Sequence, residues 1–239
     1  MLRPNNESIE IWEQNVQIPT GGAVLEGELK IPRGASGLAL FAHGSGSSRH
    51  SPRNQFVASV IREAGIGTLL FDLLTLEEES VDRTTGHLRF DIRLLANRLI
   101  DATRWVQKEK FVTNGYIGAP HLRVGYFGSS TGAAAALVAA AELGSAVGAV
   151  VSRGGRPDLA GATLPRVKAP TLLIVGGADG PVIDLNQEAF GRLQCEKEIE
   201  IIPGATHLFE EPGALERVAQ LAAKWFVARL QSEPRSASA

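Results

Sequence analysis

The feature that most constrains the fold is a series of short, almost continuously apolar runs along the chain. A strand with one solvated face alternates apolar and polar residues, whereas a strand buried on both faces is apolar throughout. Runs of the second kind occur at residues 38–42, 66–71, 122–127, 147–151, 171–175 and 199–202. These runs predict the central strands of a mostly parallel sheet that is covered on both faces.

Segments with helical periodicity lie between these runs. Ile92, Leu95, Leu99, Ala102 and Val106 recur at steps of three and four residues, which predicts a helix with one buried stripe. The same spacing occurs over residues 215–225, and weaker signals predict helices over residues 53–64, 131–143 and 183–193.

The chain begins differently, with partly alternating polarity over residues 9–18 and 23–31, joined by Pro19-Thr-Gly-Gly22. This pattern predicts an antiparallel hairpin before the parallel strands. The fold class is therefore expected to be α/β, a three-layer sandwich with a mostly parallel sheet of about eight strands. No break in composition marks a linker, so residues 1–239 are expected to form a single domain, with residues 232–239 as a frayed tail.

Composition excludes several classes of function. Twenty-four basic against twenty-six acidic residues leave no positive excess for a nucleic-acid backbone. The longest apolar run, residues 133–141, is far shorter than the ~20 residues that cross a membrane. The lone Cys195 and an N-terminus without a signal-peptide pattern predict a cytoplasmic protein. One cysteine and five histidines also exclude a cysteine-rich zinc site or an Fe–S cluster. Separately, no metal or organic cofactor is expected.

A candidate nucleophile follows the apolar run at residues 122–127. Gly128-Ser-Ser-Thr-Gly132 matches the pattern G-x-S-x-G and stands between a predicted strand and a small-residue helix. That context is typical of a nucleophile elbow, in which the central serine occupies a sharp turn and flanking glycines let strand and helix approach closely. Ser130 is therefore the predicted nucleophile.

A serine hydroxyl needs a base, and the histidine of such a fold follows the serine in the chain. Four of the five histidines precede Ser130, which leaves His207, in a loop after the last predicted strand. Asp179, directly after the strand at residues 171–175, is the preferred acid, with Asp158 as the alternative. The expected oxyanion donors are the backbone amides of Thr131 and of Ser45, with Gly46 as second choice for the latter.

Together His43-Gly-Ser-Gly-Ser-Ser, the elbow, Gly176-Gly-Ala-Asp179 and His207 resemble the α/β-hydrolase fold, and within it the dienelactone-hydrolase-like group. The resemblance covers nearly the whole chain and implies a serine hydrolase acting on an ester, with Ser130, Asp179 and His207 as the triad. Dienelactone hydrolases proper use a cysteine nucleophile, so the resemblance implies a carboxylesterase rather than an enzyme for dienelactone itself. His43 is expected to be structural.

The substrate is expected to be a small or accessible ester. About eighteen residues separate Val151 from Pro170, too few for a lid domain, and the long loop over residues 73–90 is expected to form one wall of the site. Arg153 is a candidate for binding a substrate carboxylate, although pairing of Arg153 or Arg156 with Asp158 or Asp72 is an equal alternative. Alternative functions are a lactone or thioester hydrolase, an acyltransferase, or a non-catalytic binding protein of this fold. No partner protein and no oligomeric state follow from the sequence.

Overall fold

The computed structural model describes residues 10–108, 112–113, 116–117 and 122–230. The strands are β1 (Ile11–Thr20), β2 (Ala23–Pro32), β3 (Gly37–Ala42), β4 (Ile66–Phe71), β5 (Val112–Thr113), β6 (Tyr116–Ile117), β7 (Arg123–Ser129), β8 (Val147–Arg153), β9 (Thr171–Gly176) and β10 (Lys197–Ile202). The α-helices are α1 (Pro52–Glu63), α2 (Leu76–Thr85), α3 (Ile92–Lys108), α4 (Thr131–Leu143), α5 (Gly180–Arg192) and α6 (Ala214–Leu230).

Eight strands form one sheet in the order β1-β2-β4-β3-β7-β8-β9-β10. The hairpin of β1 and β2 joins β4 antiparallel, and the remaining strands of this sheet, β4, β3, β7, β8, β9 and β10, pair in parallel. Strands β5 and β6 pair antiparallel with each other outside this sheet. Because parallel strands end at one edge of the sheet, the loops after β3, β7, β8, β9 and β10 converge there. Ligands of open α/β sheets bind at that edge.

The helices bury apolar faces on both sides of the sheet. One core contains Leu95 and Leu99 of α3, most of the alanines of α4 and Ala189 of α5, and the other contains residues of α1 and α6. The central strands β3, β4, β7, β8 and β9 are buried almost throughout, which explains their continuous apolar sequences. The expected three-layer α/β sandwich is thus confirmed.

The structure differs from the sequence predictions in the segment over residues 73–90. It is not an irregular loop, because it contains helix α2 and a 3-10 turn, Leu88–Phe90. The short strands β5 and β6 and the 3-10 segment Pro157–Arg166 were also not predicted. The start of the hairpin at residue 9 and the frayed tail at residues 232–239 lie outside the described residues.

Helix length and hydropathy also bear on the membrane question. Within the residues that the structure describes, none of the helices combines the length and the apolar character needed to cross a bilayer.

Candidate active site

Ser130 occupies a strained turn between β7 and α4. Its backbone angles are φ 50° and ψ −122°, a conformation that costs a residue with a side chain about 1–3 kcal/mol. The turn is stabilised by hydrogen bonds to β8 and the loop after it: the Ser130 amide donates to the Arg153 carbonyl (3.4 Å) and the Arg156 amide donates to the Ser130 carbonyl (3.1 Å). Strain that the surroundings maintain in this way is typical of functional sites.

The glycines of the elbow allow this turn. A Cβ on Gly128 would lie 2.5 Å from the Ala133 Cα, and one on Gly132 would overlap the Ala42 carbonyl oxygen. Gly44 approaches the nucleophile from the loop after β3, since a Cβ there would lie 2.9 Å from the Ser130 Cβ. Any side chain at these positions would push the strand, the helix or the loop away from Ser130.

His207 and Asp179 form a hydrogen-bonded pair. The His207 Nδ1 lies 2.7 Å from the Asp179 Oδ2, and the side chains are 39% and 15% exposed respectively. An Nδ1–H bond to a carboxylate leaves Nε2 unprotonated in the neutral ring, which is the arrangement a general base needs. The alternative acid, Asp158, is instead engaged by Arg156 through two hydrogen bonds of 2.9 and 2.8 Å.

The turn that contains Asp179 is joined to the histidine loop through the backbone. The Gly177 amide donates to the Ile202 carbonyl (2.8 Å), and the Ala178 amide donates to the Ala205 carbonyl (2.9 Å). A Cβ on Gly176 would overlap the Ala205 carbonyl oxygen, so the close approach of the two loops requires glycine there. Relative movement of acid and base is thereby restricted.

Arg153 and Gly154 connect the serine to the histidine. The Arg153 carbonyl accepts the Ser130 amide, and a Cβ on the next residue, Gly154, would lie 3.1 Å from the His207 carbonyl oxygen and 3.6 Å from its Cε1. The structure therefore brings Ser130, His207 and Asp179 to one edge of the sheet, after β7, β10 and β9 respectively, with β8 between the serine and the other two.

Ser45 and Thr131 approach each other from opposite sides of the serine turn. Their hydroxyl oxygens are 3.1 Å apart, so one donates to the other. Thr131 is the first residue of α4, where an amide has no acceptor within its own helix. The two residues proposed from the sequence as oxyanion donors are thus neighbours, and Gly46, the second choice, follows Ser45 in a left-handed conformation (φ 67°).

His43 fixes the loop that contains Ser45. Its Nδ1 lies 3.0 Å from the Gly44 carbonyl oxygen, and its Nε2 accepts the Leu73 amide (3.0 Å). This second bond requires an unprotonated Nε2, and burial lowers the pKa of the imidazole, only partly opposed by the Gly44 hydrogen bond. Arg49 and Asp72 join the same two loops through a salt bridge and through a hydrogen bond that the Arg49 backbone amide donates to the Asp72 carboxylate (2.7 Å). The structural role expected for His43 agrees with these contacts.

Glu211 is a residue that the sequence did not reveal. Its carboxylate accepts the Thr206 amide (3.0 Å) and the Thr206 hydroxyl (2.6 Å), immediately before His207. These hydrogen bonds lower the pKa of the Glu211 carboxyl group. Phe209 completes the loop in a left-handed conformation (φ 57°) with its side chain buried. No local motif marks either residue, because their roles depend on contacts within the folded loop.

Arg153 is buried, with 8% of its surface exposed. Its Nη1 has no hydrogen-bond partner, and its guanidinium group lies 5.9 Å from the ring centroid of Phe127. Burial, together with repulsion from Arg53, lowers the pKa of Arg153 to about 10. Neither Asp158 nor Asp72 pairs with Arg153, since Arg156 engages the first and Arg49 the second.

A pocket of about 320 Å³ opens beside Ser45 and Thr131. We call it the α2 pocket, because one wall is formed by Glu79, Asp82 and Arg83 of α2. The remaining lining comes from the loops after β3 and β4, from the 3-10 turn and from α3: His43 to Ser48, Leu73, Leu74, Arg89 and Leu95. The segment at residues 73–90 thus forms a wall beside the candidate site, as expected.

The sequence and the fold of this chain both match those of known proteins. Residues 95–230 match the model of the dienelactone hydrolase family, a segment that includes Ser130, Asp179 and His207. A crystal structure described as a dienelactone hydrolase from Anabaena variabilis is 59% identical, with a TM-score of 0.88 over 92% of this chain and 99% of that one. The Est1E protein of Butyrivibrio proteoclasticus shares the fold alone, at 15% identity and a TM-score of 0.71 over 90% of this chain and 98% of that one.

Two curated relatives come from strains of Mycobacterium tuberculosis and are described as putative phosphoribosyl transferases. They are 54% identical over 218 residues, which cover 91% of this chain and 47% of each relative. The chain therefore spans about half the length of the curated relatives that it matches.

Proposed function

Because this chain belongs to the dienelactone hydrolase family of α/β hydrolases, we propose that it is a serine hydrolase that cleaves small carboxylic esters. The proposal rests chiefly on one observation: the hydrogen-bonded pair of His207 and Asp179 shares a sheet edge with Ser130 in the strained turn. A serine with only a structural role would not require this strained backbone conformation.

In the proposed first step, the Ser130 Oγ attacks the ester carbonyl carbon while the His207 Nε2 takes its proton. The carbonyl oxygen becomes an oxyanion, which accepts hydrogen bonds from the backbone amides of Ser45 and Thr131. Asp179 holds the imidazole in the required tautomer and stabilises its protonated form. When the tetrahedral species collapses, His207 gives the proton to the departing alcohol and an acyl group remains on Ser130.

In the second step, water replaces the alcohol. His207 removes a proton from the water as its oxygen attacks the acyl-enzyme, and the same two amides bind the second oxyanion. Collapse returns the proton to Ser130 and releases the carboxylic acid. Every proton is transferred through His207, between Ser130, the departing alcohol and water, and the proposed reaction uses no metal or organic cofactor.

We further propose that Arg153 contributes to substrate binding. A buried guanidinium group with an unpartnered Nη1 is costly, and an anionic group on the substrate would reduce that cost. We expect Arg153→Met to raise the KM for 4-acetoxybenzoate, which has a carboxylate on its alcohol side, more than the KM for neutral phenyl acetate. Equal effects on both esters would assign Arg153 a purely structural role.

The proposed reaction class includes close chemical variants. Lactones and thioesters present the same carbonyl carbon to Ser130, and an alcohol in place of water would give acyl transfer. The name of the mycobacterial relatives describes proteins about twice as long, of which this chain matches 47%. We also propose that the protein is cytoplasmic, because its lone cysteine, Cys195, is free.

A direct test is steady-state hydrolysis of p-nitrophenyl acetate by the wild type and by Ser130→Ala, His207→Ala and Asp179→Asn. We expect each substitution to reduce kcat by about 10³-fold or more, because the three residues act as a unit. Asp158→Asn provides the matched control for the acid and should retain activity. Loss of activity in Asp158→Asn but not in Asp179→Asn would reverse the assignment of the acid.

A further inference from the structure

We propose that the α2 pocket binds the acyl group of the substrate and limits its length, so that the enzyme prefers esters of short, uncharged aliphatic acids. This inference rests on the proposed function, since it assigns one side of the ester to the pocket. It is carried by the position of the pocket relative to His207 and by the residues that line it.

The position of His207 determines on which side the alcohol departs. His207 must give its proton to the alcohol oxygen, so the alcohol has to lie on the histidine side of Ser130. His207 follows β10 and Asp179 follows β9, both beyond β8 in the sheet order. The alcohol group is therefore directed toward the β8–β10 side of the sheet.

The α2 pocket lies on the other side of Ser130. Its lining comes from the loops after β3 and β4, from α2, the 3-10 turn and α3, and from Thr131 next to the nucleophile. In the sheet, β3 and β4 lie on the opposite side of β7 from β8, β9 and β10. A tetrahedral carbon whose oxygen contacts Ser45 and Thr131, and whose alcohol points toward His207, has its acyl group on the β3–β4 side, where this pocket lies.

The lining of the pocket indicates which acyl groups fit. Leu74 and Leu95 contribute apolar side chains that are 7% and 3% exposed, and the volume of about 320 Å³ is at the lower end for ligand pockets. Glu79 and Arg83 line the same pocket with opposite charges four residues apart on α2. With Asp82 and Arg89, which pair with each other, the lining has two acidic and two basic side chains and so no net charge to attract a charged acyl group. The pocket therefore favours an uncharged chain.

Local contacts hold α2 in place. The pocket needs such a rigid wall if it is to limit the length of the acyl group. Thr75 and Glu78 form a capping box at the start of α2, and Glu78 also pairs with Arg98 at 2.6 Å. At the other end, the Asp82 carboxylate accepts the Leu88 amide (2.7 Å) and the side chain of Arg89 (2.5 Å). These contacts anchor the start of α2 to α3 and its end to the 3-10 turn that follows.

The first test compares two substrate series on the wild-type protein. In p-nitrophenyl esters from acetate to decanoate, we expect kcat/KM to rise by up to about fourfold per methylene, the equivalent of ~0.8 kcal/mol, and then to fall once the pocket is filled. In acetate esters of alcohols of increasing length, we expect no such optimum. A length optimum in the alcohol series and none in the acyl series would overturn the inference.

The second test changes the pocket itself. Leu95→Ala removes most of a side chain from the lining and should move the acyl optimum to longer chains by about two carbons. Leu74→Ala, in the loop after β4, should shift the acyl optimum in the same direction. It replaces Leu95→Ala in the test if that substitution prevents folding. Leu159→Ala is the matched control, because Leu159 is exposed on the β8 side of the site and does not line the α2 pocket.

The outcomes separate this inference from the proposed function. If Ser130→Ala abolishes hydrolysis but neither pocket variant shifts the acyl optimum, the serine mechanism stands and the assignment of the pocket is wrong. If Ser130→Ala hydrolyses the esters as fast as the wild type, the proposed function itself is wrong.

Discussion

At the scale of single residues, several side chains contribute to the candidate site by holding a loop in place rather than by taking part in the reaction. His43 joins the loops after β3 and β4, and Glu211 joins the two halves of the histidine loop. Both interactions depend on one protonation state, since His43 must be neutral to accept the Leu73 amide and Glu211 must be ionised to accept two donors from Thr206. We therefore expect the stability of the protein to depend on pH through His43, and its activity to depend on substitution of Glu211.

For His43, the prediction concerns stability. Burial lowers its pKa in the folded state, so below the ordinary histidine pKa of about 6.5 the unfolded chain binds more protons. Stability from this group is complete above that pH and is lost as the pH falls. We expect the Tm of the wild type to decrease between pH 7 and pH 5 more than that of His43→Gln, whose amide oxygen can accept the Leu73 amide at either pH.

The size of this effect can be judged from the length of the chain. A loss of ~1 kcal/mol lowers the Tm of a chain this long by about 2–4 °C, which scanning calorimetry resolves. Equal pH slopes in the two proteins would mean that the neutral His43 contributes no stability.

For Glu211, the prediction concerns catalysis. Glu211→Ala should lower kcat by about 10–100-fold, because small displacements of a catalytic group have large effects. KM should change little, since Glu211 accepts hydrogen bonds from Thr206 of the histidine loop. Glu211→Gln retains an acceptor oxygen and should recover part of the lost kcat. An increase in KM with unchanged kcat would indicate instead that Glu211 contacts the substrate.

At the scale of elements, the site depends on how closely β7 and α4 pack. Gly128 and Gly132 face backbone atoms of α4 and of the loop after β3, and the α4 residues behind them are mostly alanine. Small residues are therefore required at this point by packing as well as by the turn. The elbow and the core beneath it form one structural unit.

This packing can be tested with matched glycine substitutions. In Gly132→Ala the new methyl group would overlap the Ala42 carbonyl, so we expect a loss of about 3 kcal/mol or more of unfolding free energy. Gly191→Ala, near the end of α5, meets nothing within 4 Å and should be neutral or stabilise by up to ~1 kcal/mol. Chemical denaturation measures both, and comparable stabilities would show that the elbow can relax around a methyl group.

The helices and strands also show which structural features the sequence can predict and which it cannot. The central strands and α3 were predicted because burial on two faces or on one stripe leaves a pattern in the local sequence. Helix α2 was missed because its apolar residues Leu76 and Val81 are exposed, and only its Thr75–Glu78 capping box and left-handed Gly86 mark its ends. The serine and histidine could be found from motif and chain order, whereas the role of Glu211 depends on contacts within the folded loop. The periodicity of α3 shows that Leu95 is buried, but its place in the α2 pocket depends on elements distant in the sequence.

At the scale of the whole molecule, the sheet divides the proposed site into two sides. The acyl side is bounded by β3, β4 and α2, and the alcohol side by β8, β9 and β10 with the buried Arg153. The residues between β8 and β9 form only the short segment Pro157–Arg166 and a few flanking residues, so that connection contains no lid domain. An open site of this kind would admit small esters without a large conformational change.

The central claim is that Ser130 is a nucleophile activated by the fold, and covalent labelling tests it most directly. A fluorophosphonate probe incubated with the wild type should add one probe mass, which peptide mapping should locate on Ser130. Ser130→Ala should remain unlabelled, and Ser129→Ala, altered at the preceding serine, should label like the wild type. Equal labelling of Ser130→Ala and the wild type, or a probe located on another residue, would contradict the account.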